Sequence, residues 1–283
     1  MKKILVGDIG GTNTRLGVFT TNTKKISKIK RFETNKDVED EIKKMLSQEK
    51  LQGISLGLAG PLKNNEVKFT NKDLTISSKN LKKKTGLDAF LLNDFEALGY
   101  YAKKQETKKR LVLGAGTGLG KVFVTKEVMS SEGGCMDFPF RKGEEKIRDF
   151  FQKKLKKTPD YDSIVSGKGI STIKQFLSKK AQKKEELEPK NIFLNKEKNI
   201  NKKTILLFSK FYGRFVKNCY IDFLPEEILL AGGIVRKNPW IIKTKEFQDE
   251  IKHELIKKEN IKIIRDEYAG LKGVGIAFIH KNI

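Results

Sequence analysis

The chain predicts a duplicated α/β fold, in which each half opens on an antiparallel hairpin and continues as alternating strands and helices. Two glycine-rich segments carry this expectation first: Asp8-Ile9-Gly10-Gly11-Thr12-Asn13 and Gly114-Ala115-Gly116-Thr117-Gly118, each placed after a short apolar run of strand character. A second apolar run follows each of them, Arg15 to Phe19 and Lys121 to Val124, so both read as hairpin turns. Beyond both hairpins, strand-like and helix-like segments alternate to the end of the chain, as helices covering mixed sheets require.

The elements follow in order. Lys3-Ile4-Leu5-Val6-Gly7 is the first strand and leads into the first glycine turn, where glycine suits a positive φ or a close backbone approach. Glycine and threonine N–H groups in such a turn can point inward at an anion. Asp8 is better suited to hold a hydrated Mg²⁺ than to touch phosphate, because a carboxylate repels phosphate unless a cation lies between them. Ile26 to Phe32 reads as a third strand, and Asp37 to Leu51 as an amphipathic helix with Val38, Ile42, Met45 and Leu46 on one side. Gly53 to Ala59 is a buried strand stopped by Gly60-Pro61, Asp88 to Leu92 is another, and Asn93-Asp94 starts the next helix. The second round opens at Leu111 to Leu113 and continues through Lys121 to Val124. Helices are expected near Lys142 to Lys156, Gly169 to Ala181 and Thr204 to Phe223. Lys179 to Lys203 is the most polar stretch and reads as exposed helix and loop. Glu227 to Gly233 returns as a strand, and a strand at Ile261 to Ile264 and a helix at Gly270 to Ile279 finish the chain. A ligand is expected between the two halves.

Composition narrows the function classes. A chain of 283 residues with 37% hydrophobic content has enough core for one globular unit or two closely joined domains. The start of the chain lacks the apolar length of a secretion signal, and no run approaches the roughly 18 residues of a membrane span, so a soluble cytoplasmic protein is expected. Cys135 and Cys219 are far apart and outside any C-x-x-C pair, which argues against a disulfide framework and a structural zinc site. With only His253 and His280, a histidine-built metal site is not expected either. The formal charge of +24 raises a nucleic-acid partner. The lysines are dispersed, however, in runs such as Lys82-Lys83-Lys84 and Lys202-Lys203, with no aromatic-interleaved stripe, so a solvated lysine-rich surface is the favoured reading.

Six motifs in register carry a family resemblance that periodicity alone does not supply. Val6 to Arg15, Leu92-Asn93-Asp94-Phe95, Gly114 to Gly120, Ser131-Glu132-Gly133-Gly134, Val165-Ser166-Gly167 and Leu230-Ala231-Gly232-Gly233-Ile234-Val235 stand in the order and approximate spacing of bacterial-type glucokinases. Gly213-Arg214-Phe215 and Gly270 to Gly273 also look like their counterparts there. The chain thus resembles that family over nearly its whole length. The resemblance implies a two-lobed actin-like ATPase fold of ribonuclease H-like type, with mixed sheets, helices on both faces and a cleft between lobes. It places the small lobe at 1–108 plus 271–283 and the large lobe at 109–270.

The activity so implied is ATP- and Mg²⁺-dependent phosphorylation of a hexose, foremost glucose, at its 6-hydroxyl. A primary alcohol is a poor nucleophile at neutral pH, and Asp94 matches the family's catalytic base. Asn93 or Asp94 acting as an ordinary helix cap is the competing explanation. Asn93 and Glu132 resemble the residues that hydrogen-bond sugar hydroxyls, with Asn71 a weaker candidate. Gly10, Gly11, Thr12 and Asn13, and Gly116, Thr117 and Gly118, look like paired phosphate grips, and Gly232 and Gly233 match the adenosine side. Two positions depart from the family pattern: Cys135 stands where histidine is usual, and Asp162, with Asp160 two residues away, where glutamate is usual. Cys135 reads as a small buried replacement, and together the departures leave the choice among glucose, mannose and an amino sugar open. A kinase-fold regulatory protein that binds sugar or nucleotide without turnover is the alternative. Relatives commonly form dimers, so a homodimer is expected from the resemblance alone.

Overall fold

A computed structural model describes residues 2–35, 37–69, 73–103, 108–178 and 183–281. The chain divides into two units, one of Met1–Thr107, Val122–Ser130 and Asp266–Ile283, the other of Lys108–Lys121 and Ser131–Arg265.

In the first unit, β1 (Lys3–Ile9), β2 (Asn13–Thr20) and β3 (Lys25–Glu33) form an antiparallel meander. Helix α1 (Val38–Gln48) precedes β4 (Ile54–Leu58), and the hairpin β5 (Glu66–Phe69) and β6 (Leu74–Ser77) precedes α2 (Ser78–Thr85). β7 (Ala89–Asn93) then runs directly into α3 (Asp94–Ala102). β4 and β7 join β1 in parallel, giving a mixed sheet in the order β3-β2-β1-β4-β7.

Alternation along β1 divides the core of this unit. Leu5 and Ile9 face a cluster that includes Val38, Ile42 and Met45 of α1 and Val67, Phe69, Leu74 and Ile76 of the β5–β6 hairpin. Ile4 and Val6 face Ala97 and Tyr100 of α3 and Leu271, Val274, Ala277 and Phe278, which lie on the chain's last helix, Ala269–His280. Asp8 has the same parity as Ile4 and Val6 and therefore shares the side of α3 and that last helix. Those two helices pack so closely that a Cβ on Gly273 would stand 1.8 Å from the Ala97 carbonyl oxygen.

The second unit carries β8 (Arg110–Ala115) and the start of β9 (Leu119–Val124); the rest of β9 and most of β10 (Val128–Ser131) belong to the first unit. Its helices are α4 (Glu145–Leu155), α5 (Tyr161–Ile164), α6 (Gly167–Leu177), α7 (Lys184–Leu187), α8 (Pro189–Leu194) and α9 (Asn199–Phe223). β11 (Glu227–Ala231), α10 (Gly233–Lys237), α11 (Lys245–Glu250) and β12 (Ile261–Ile263) follow, and the last helix is α12. β8, β11 and β12 are parallel, with β11 central. The 25-residue α9 buries Phe208, Phe211, Tyr212, Phe215 and Val216, and Phe138 meets Phe211 edge-on with ring centroids 5.0 Å apart. Arg214, 1% exposed, lies in the same helix, its guanidinium held by both carboxylate oxygens of Glu144 at 2.7 and 2.8 Å and by Glu250 at 2.9 Å.

The lobe bounds expected from sequence differ from these units chiefly at Val122–Ser130. That stretch packs on α3: a Cβ on Gly99 would stand 2.5 Å from a methyl of Val128 and 2.9 Å from one of Val122. Among the described residues, no helix is long and apolar enough to cross a membrane.

Candidate active site

The expected site residues fall on both units, and in each unit the glycine turns and the helix start that follow β1, β7, β8 and β11 stand at the C-terminal ends of parallel strands, where open α/β sheets present their ligand-binding groups.

In the first unit, β4 sets the geometry. Asp8 of β1 is in register with Gly57, and Asn93 of β7 with Leu58, so the first glycine turn and the start of α3 flank the end of one strand. The turn is braced from below by Thr34, a buried residue that sequence reasoning did not single out: its hydroxyl donates to the Gly10 carbonyl at 2.7 Å and lies 2.9 Å from the Thr14 hydroxyl. Gly10 N–H donates to the Asn13 carbonyl at 3.0 Å, closing the turn. Gly11, Thr12 and Asn13 are exposed. Of the two reasons expected for these glycines, a positive φ is not the one found: neither Gly10 nor Gly11 is in the left-handed region. A Cβ on Gly11 would meet nothing within 4 Å. The fold therefore does not demand glycine at this position, and the space beside it suits a ligand that approaches the backbone.

Asp8 is half-buried. Arg15 donates to its Oδ2 at 3.2 Å, and a Cβ on Gly270, in the first turn of α12, would stand 2.9 Å from the same oxygen. Burial pushes the Asp8 carboxyl above the ordinary range, and Arg15 pulls it back in part. Arg15 is a second residue the motif reading did not assign. Its Nη2 lies 3.5 Å from Glu267, and its buried Nε has no partner.

The junction of β7 and α3 resolves which residue caps the helix. Asn93 is the cap: its Oδ1 accepts from the N–H of Phe95 at 2.8 Å and of Glu96 at 3.4 Å, and its Nδ2 donates to the Gly60 carbonyl at 3.2 Å. The two N–H bonds use both lone pairs of Oδ1, and one Nδ2 hydrogen is left for a hydroxyl. Asp94 is the first residue of α3, half-buried, with Oδ1 3.0 Å from the Phe95 N–H. A carboxylate on the first turn is favoured by the helix dipole. The tight contact of α3 with α12 fixes the backbone that carries it.

In the second unit, several motifs converge on the end of β8. Gly116 N–H donates to the Gly118 carbonyl at 2.8 Å, and the Gly116 carbonyl accepts from Gly167 N–H at 2.8 Å, which docks the Ser166-Gly167 motif on the glycine turn. Ser166 caps α6 through Gly169 N–H at 3.3 Å. Asp162 Oδ1 accepts from Leu119 N–H at 2.6 Å. Burial raises the Asp162 carboxyl, the Leu119 N–H opposes this, and Asp160 adds to it. Asp160 is occupied otherwise: it caps α5 through Ser163 N–H at 2.8 Å and pairs with Lys157 at 2.6 Å. Gly232 is held at φ +93°, where a Cβ would lie 2.2 Å from the Ala115 carbonyl oxygen, so the strand ends of β8 and β11 require glycine there. Gly233, by contrast, would find nothing within 4 Å of an added Cβ, and Gly116 only the Gly118 carbonyl at 3.9 Å. Thr117 and Gly118 are exposed.

Glu132, Gly133, Gly134 and Cys135 form a tight turn closed by a 2.9 Å bond from Cys135 N–H to the Glu132 carbonyl. A Cβ on Gly134 would stand 2.6 Å from the Leu119 carbonyl, which ties this turn to the second glycine turn. Glu132 is exposed. Cys135 is exposed as well, and the buried replacement expected from sequence is corrected: the 3-10 turn directs burial onto the two glycines and leaves the cysteine outside. Partial burial of the thiol, then Glu132, Asp160 and Asp162, push it above the usual thiol range, so these acids share one neighbourhood. Asn71 lies outside the described residues.

Among the described residues, no group of three or more His, Cys, Asp or Glu side chains is arranged to hold a metal. Asp8, the residue expected from sequence to hold Mg²⁺, is a single carboxylate, and Mg²⁺ commonly takes one or two protein carboxylates and completes its shell with water and substrate phosphates.

A family model described as Glucokinase matches residues 5–281. A glucokinase of Erwinia tasmaniensis is 28% identical over 309 residues, spanning 97% of this chain and 96% of that protein. Among solved structures, a Balamuthia mandrillaris glucokinase in complex with glucose superposes with a TM-score of 0.82 at 21% identity, covering 97% of this chain and 92% of that one. A ROK family glucokinase from Streptomyces griseus in complex with glucose and AMPPNP gives 0.72 at 14% identity, over 96% and 98% of the two chains.

Proposed function

This chain belongs to the glucokinase family, and from that premise we infer that it transfers the γ-phosphoryl group of ATP to the 6-hydroxyl of a hexose, foremost glucose. The observation that carries the reading is the set of glycines the fold does not need. Gly11 and Gly233 have ordinary φ and empty space where a Cβ would point, and both lie in motifs expected to grip a nucleotide. The same space is the test of fit for ATP, and the residues present meet it.

In this reading, Gly10 to Asn13 and Gly116 to Gly118 offer backbone N–H groups to the phosphates, with Arg15 adding positive charge beside the first turn. Gly232 and Gly233 take the adenosine side. Asp8 would hold Mg²⁺ through water or a phosphate oxygen, and that ion, when bound, neutralises charge developing on the transferred group. Asp94 accepts the proton of the attacking hydroxyl. Its place on the first turn of α3 favours the carboxylate and fixes its aim, while Asn93 supports that turn and keeps one N–H donor for the sugar. Glu132 accepts from neighbouring hydroxyls, and Cys135 and Asp162 set what the anomeric end meets. A cytoplasmic location, where ATP is supplied, and a homodimer belong to the same reading.

The test is ADP release with Mg-ATP and glucose, mannose, glucosamine or fructose. One sugar is expected to turn over, and Asp94→Asn is expected to lower kcat by about 10² to 10⁴ while thermal unfolding stays put. Absence of turnover with every sugar, from a folded protein that binds ATP, would favour the regulatory alternative.

A further inference from the structure

Lys121 is a buried lysine that the reading above leaves without a task. It is 4% exposed at the middle of β9, and it is the last residue of one stretch of the second unit, which resumes at Ser131. Its ammonium lies 4.7 Å from the centroid of the Phe223 ring and 3.8 Å from Asp222 Oδ2, both at the C-terminal end of α9. A helix C-terminus, an aromatic face and a carboxylate each favour a cation, which explains how the charge is tolerated there.

The stem of the same side chain runs under the turn that carries Glu132. A Cβ on Gly133 would stand 2.3 Å from Lys121 Cε, 2.9 Å from Nζ and 3.2 Å from Cδ. No carbon can occupy that position while the lysine stays where it is, so an alanine at Gly133 requires the end of the Lys121 side chain to move. Gly133 and Gly134 are buried while Glu132 and Cys135 are exposed, so the lysine supports the covered side of a turn whose open side presents the acid.

We propose that Lys121 is a positioning residue for Glu132: anchored at the end of α9, it sets the height and tilt of the Glu132-Gly133-Gly134 turn and through it the grip on the hexose. This rests on the reading that Glu132 binds the sugar. Lys121 touches no substrate in this scheme.

The test compares glucose KM, Mg-ATP KM and kcat for the wild type, E132Q, K121M, K121A, G133A and the double variant K121A/G133A, with thermal unfolding measured for each. K121M keeps an unbranched stem and removes the anchor, and it is expected to raise the glucose KM about tenfold, the scale of one misplaced hydrogen bond, with the Mg-ATP KM unchanged. G133A should raise it similarly because the new methyl displaces the lysine. K121A/G133A should be less impaired than the sum of its parts, since the shortened side chain makes room for the methyl. If K121M does not fold, the coupling between K121A and G133A in glucose KM decides, and strict additivity overturns the proposal. A wild-type glucose KM in K121M, alongside a weakened E132Q, also overturns it and leaves the sugar reading intact. An unchanged glucose KM in E132Q removes the reading and the proposal together.

Discussion

Asp162 Oδ1 accepts a 2.6 Å hydrogen bond from the backbone N–H of Leu119, the residue that follows the Gly116-Thr117-Gly118 turn. The acid expected at the sugar's anomeric end is thus also a strut for the phosphate-side turn. An Asn in its place keeps an acceptor at the same reach, whereas an Ala leaves the Leu119 N–H unmet, at a cost of about 1–3 kcal/mol if water cannot replace it. Asp162→Ala is expected to raise the KM for both glucose and Mg-ATP, and Asp162→Asn to restore only the Mg-ATP value. Initial-rate kinetics on the two variants decide, and an unchanged Mg-ATP KM in Asp162→Ala would show that the strut is not used.

Glycines within single motifs should respond in opposite ways to an added methyl. Gly11 and Gly233 have space for it, so Gly→Ala at either is expected to leave stability unchanged or raise it by about 0.4–1 kcal/mol through the unfolded chain. The same changes should raise the Mg-ATP KM by about tenfold or more, because the methyl fills the space the nucleotide needs. Gly232→Ala meets the Ala115 carbonyl and a φ of +93°, and should cost about 2–4 kcal/mol whether or not nucleotide is present. Thermal melts with and without Mg-ATP separate the cases. Destabilisation by Gly11→Ala in the absence of nucleotide would remove the argument for a ligand cradle there.

Strong local signals made the sheets legible. Apolar runs such as Ile4 to Val6 and Leu111 to Leu113 reflect strands buried on both faces, the α1 spacing of Val38, Ile42 and Met45 reflects a helix buried on one, and the structure places them as those patterns require. The β5–β6 hairpin escaped because each strand has four residues and its buried Val67, Phe69, Leu74 and Ile76 are too few to show a period. Helix α9 begins at Asn199, five residues before the expected start, because Ile200 is the one apolar residue before Thr204 and the buried apolar spacing begins only at Ile205. For the site, motif order supplied Asp94 and both glycine turns as candidates. Thr34 and Lys121 were not legible: each meets a neighbour remote in sequence, and a lone threonine or lysine has no pattern to announce it.

Cys135 gives a chemical probe of the same turn. Partial burial and three nearby acids raise its thiol, so its thiolate fraction near neutral pH is below that of free cysteine and grows as pH rises. Cys219 is buried and pushed up to about 12. Iodoacetamide at pH 8 is therefore expected to label Cys135 alone, more slowly than free cysteine, and saturating glucose should slow it further. Peptide mass spectrometry over time checks this. Replacement by His gives the position a stronger donor and acceptor and should lower the glucose KM; equal labelling with and without glucose would place Cys135 away from the sugar.

The last expectation concerns acid stability and follows from the Arg214 network. Burial raises the Glu144 carboxyl, but hydrogen bonds from Arg214, Lys210 and the Arg141 N–H outweigh it and bring it from 4.5 to about 2. A carboxyl lowered in the folded state contributes stability that is present above its unfolded value and is lost as pH falls through the folded one. The window here runs from about 4.5 down to about 2, and at about 1.4 kcal/mol per pH unit the contribution is on the order of 3 kcal/mol. Glu144→Gln should therefore be less stable than the wild type at pH 7, because Arg214 loses a buried charged partner. The difference should shrink as pH falls toward 2, where Glu144 itself becomes protonated in about half of the molecules. Urea unfolding between pH 7 and pH 2.5 measures it, and parallel curves for the two proteins would mean that Glu144 does not titrate against this network.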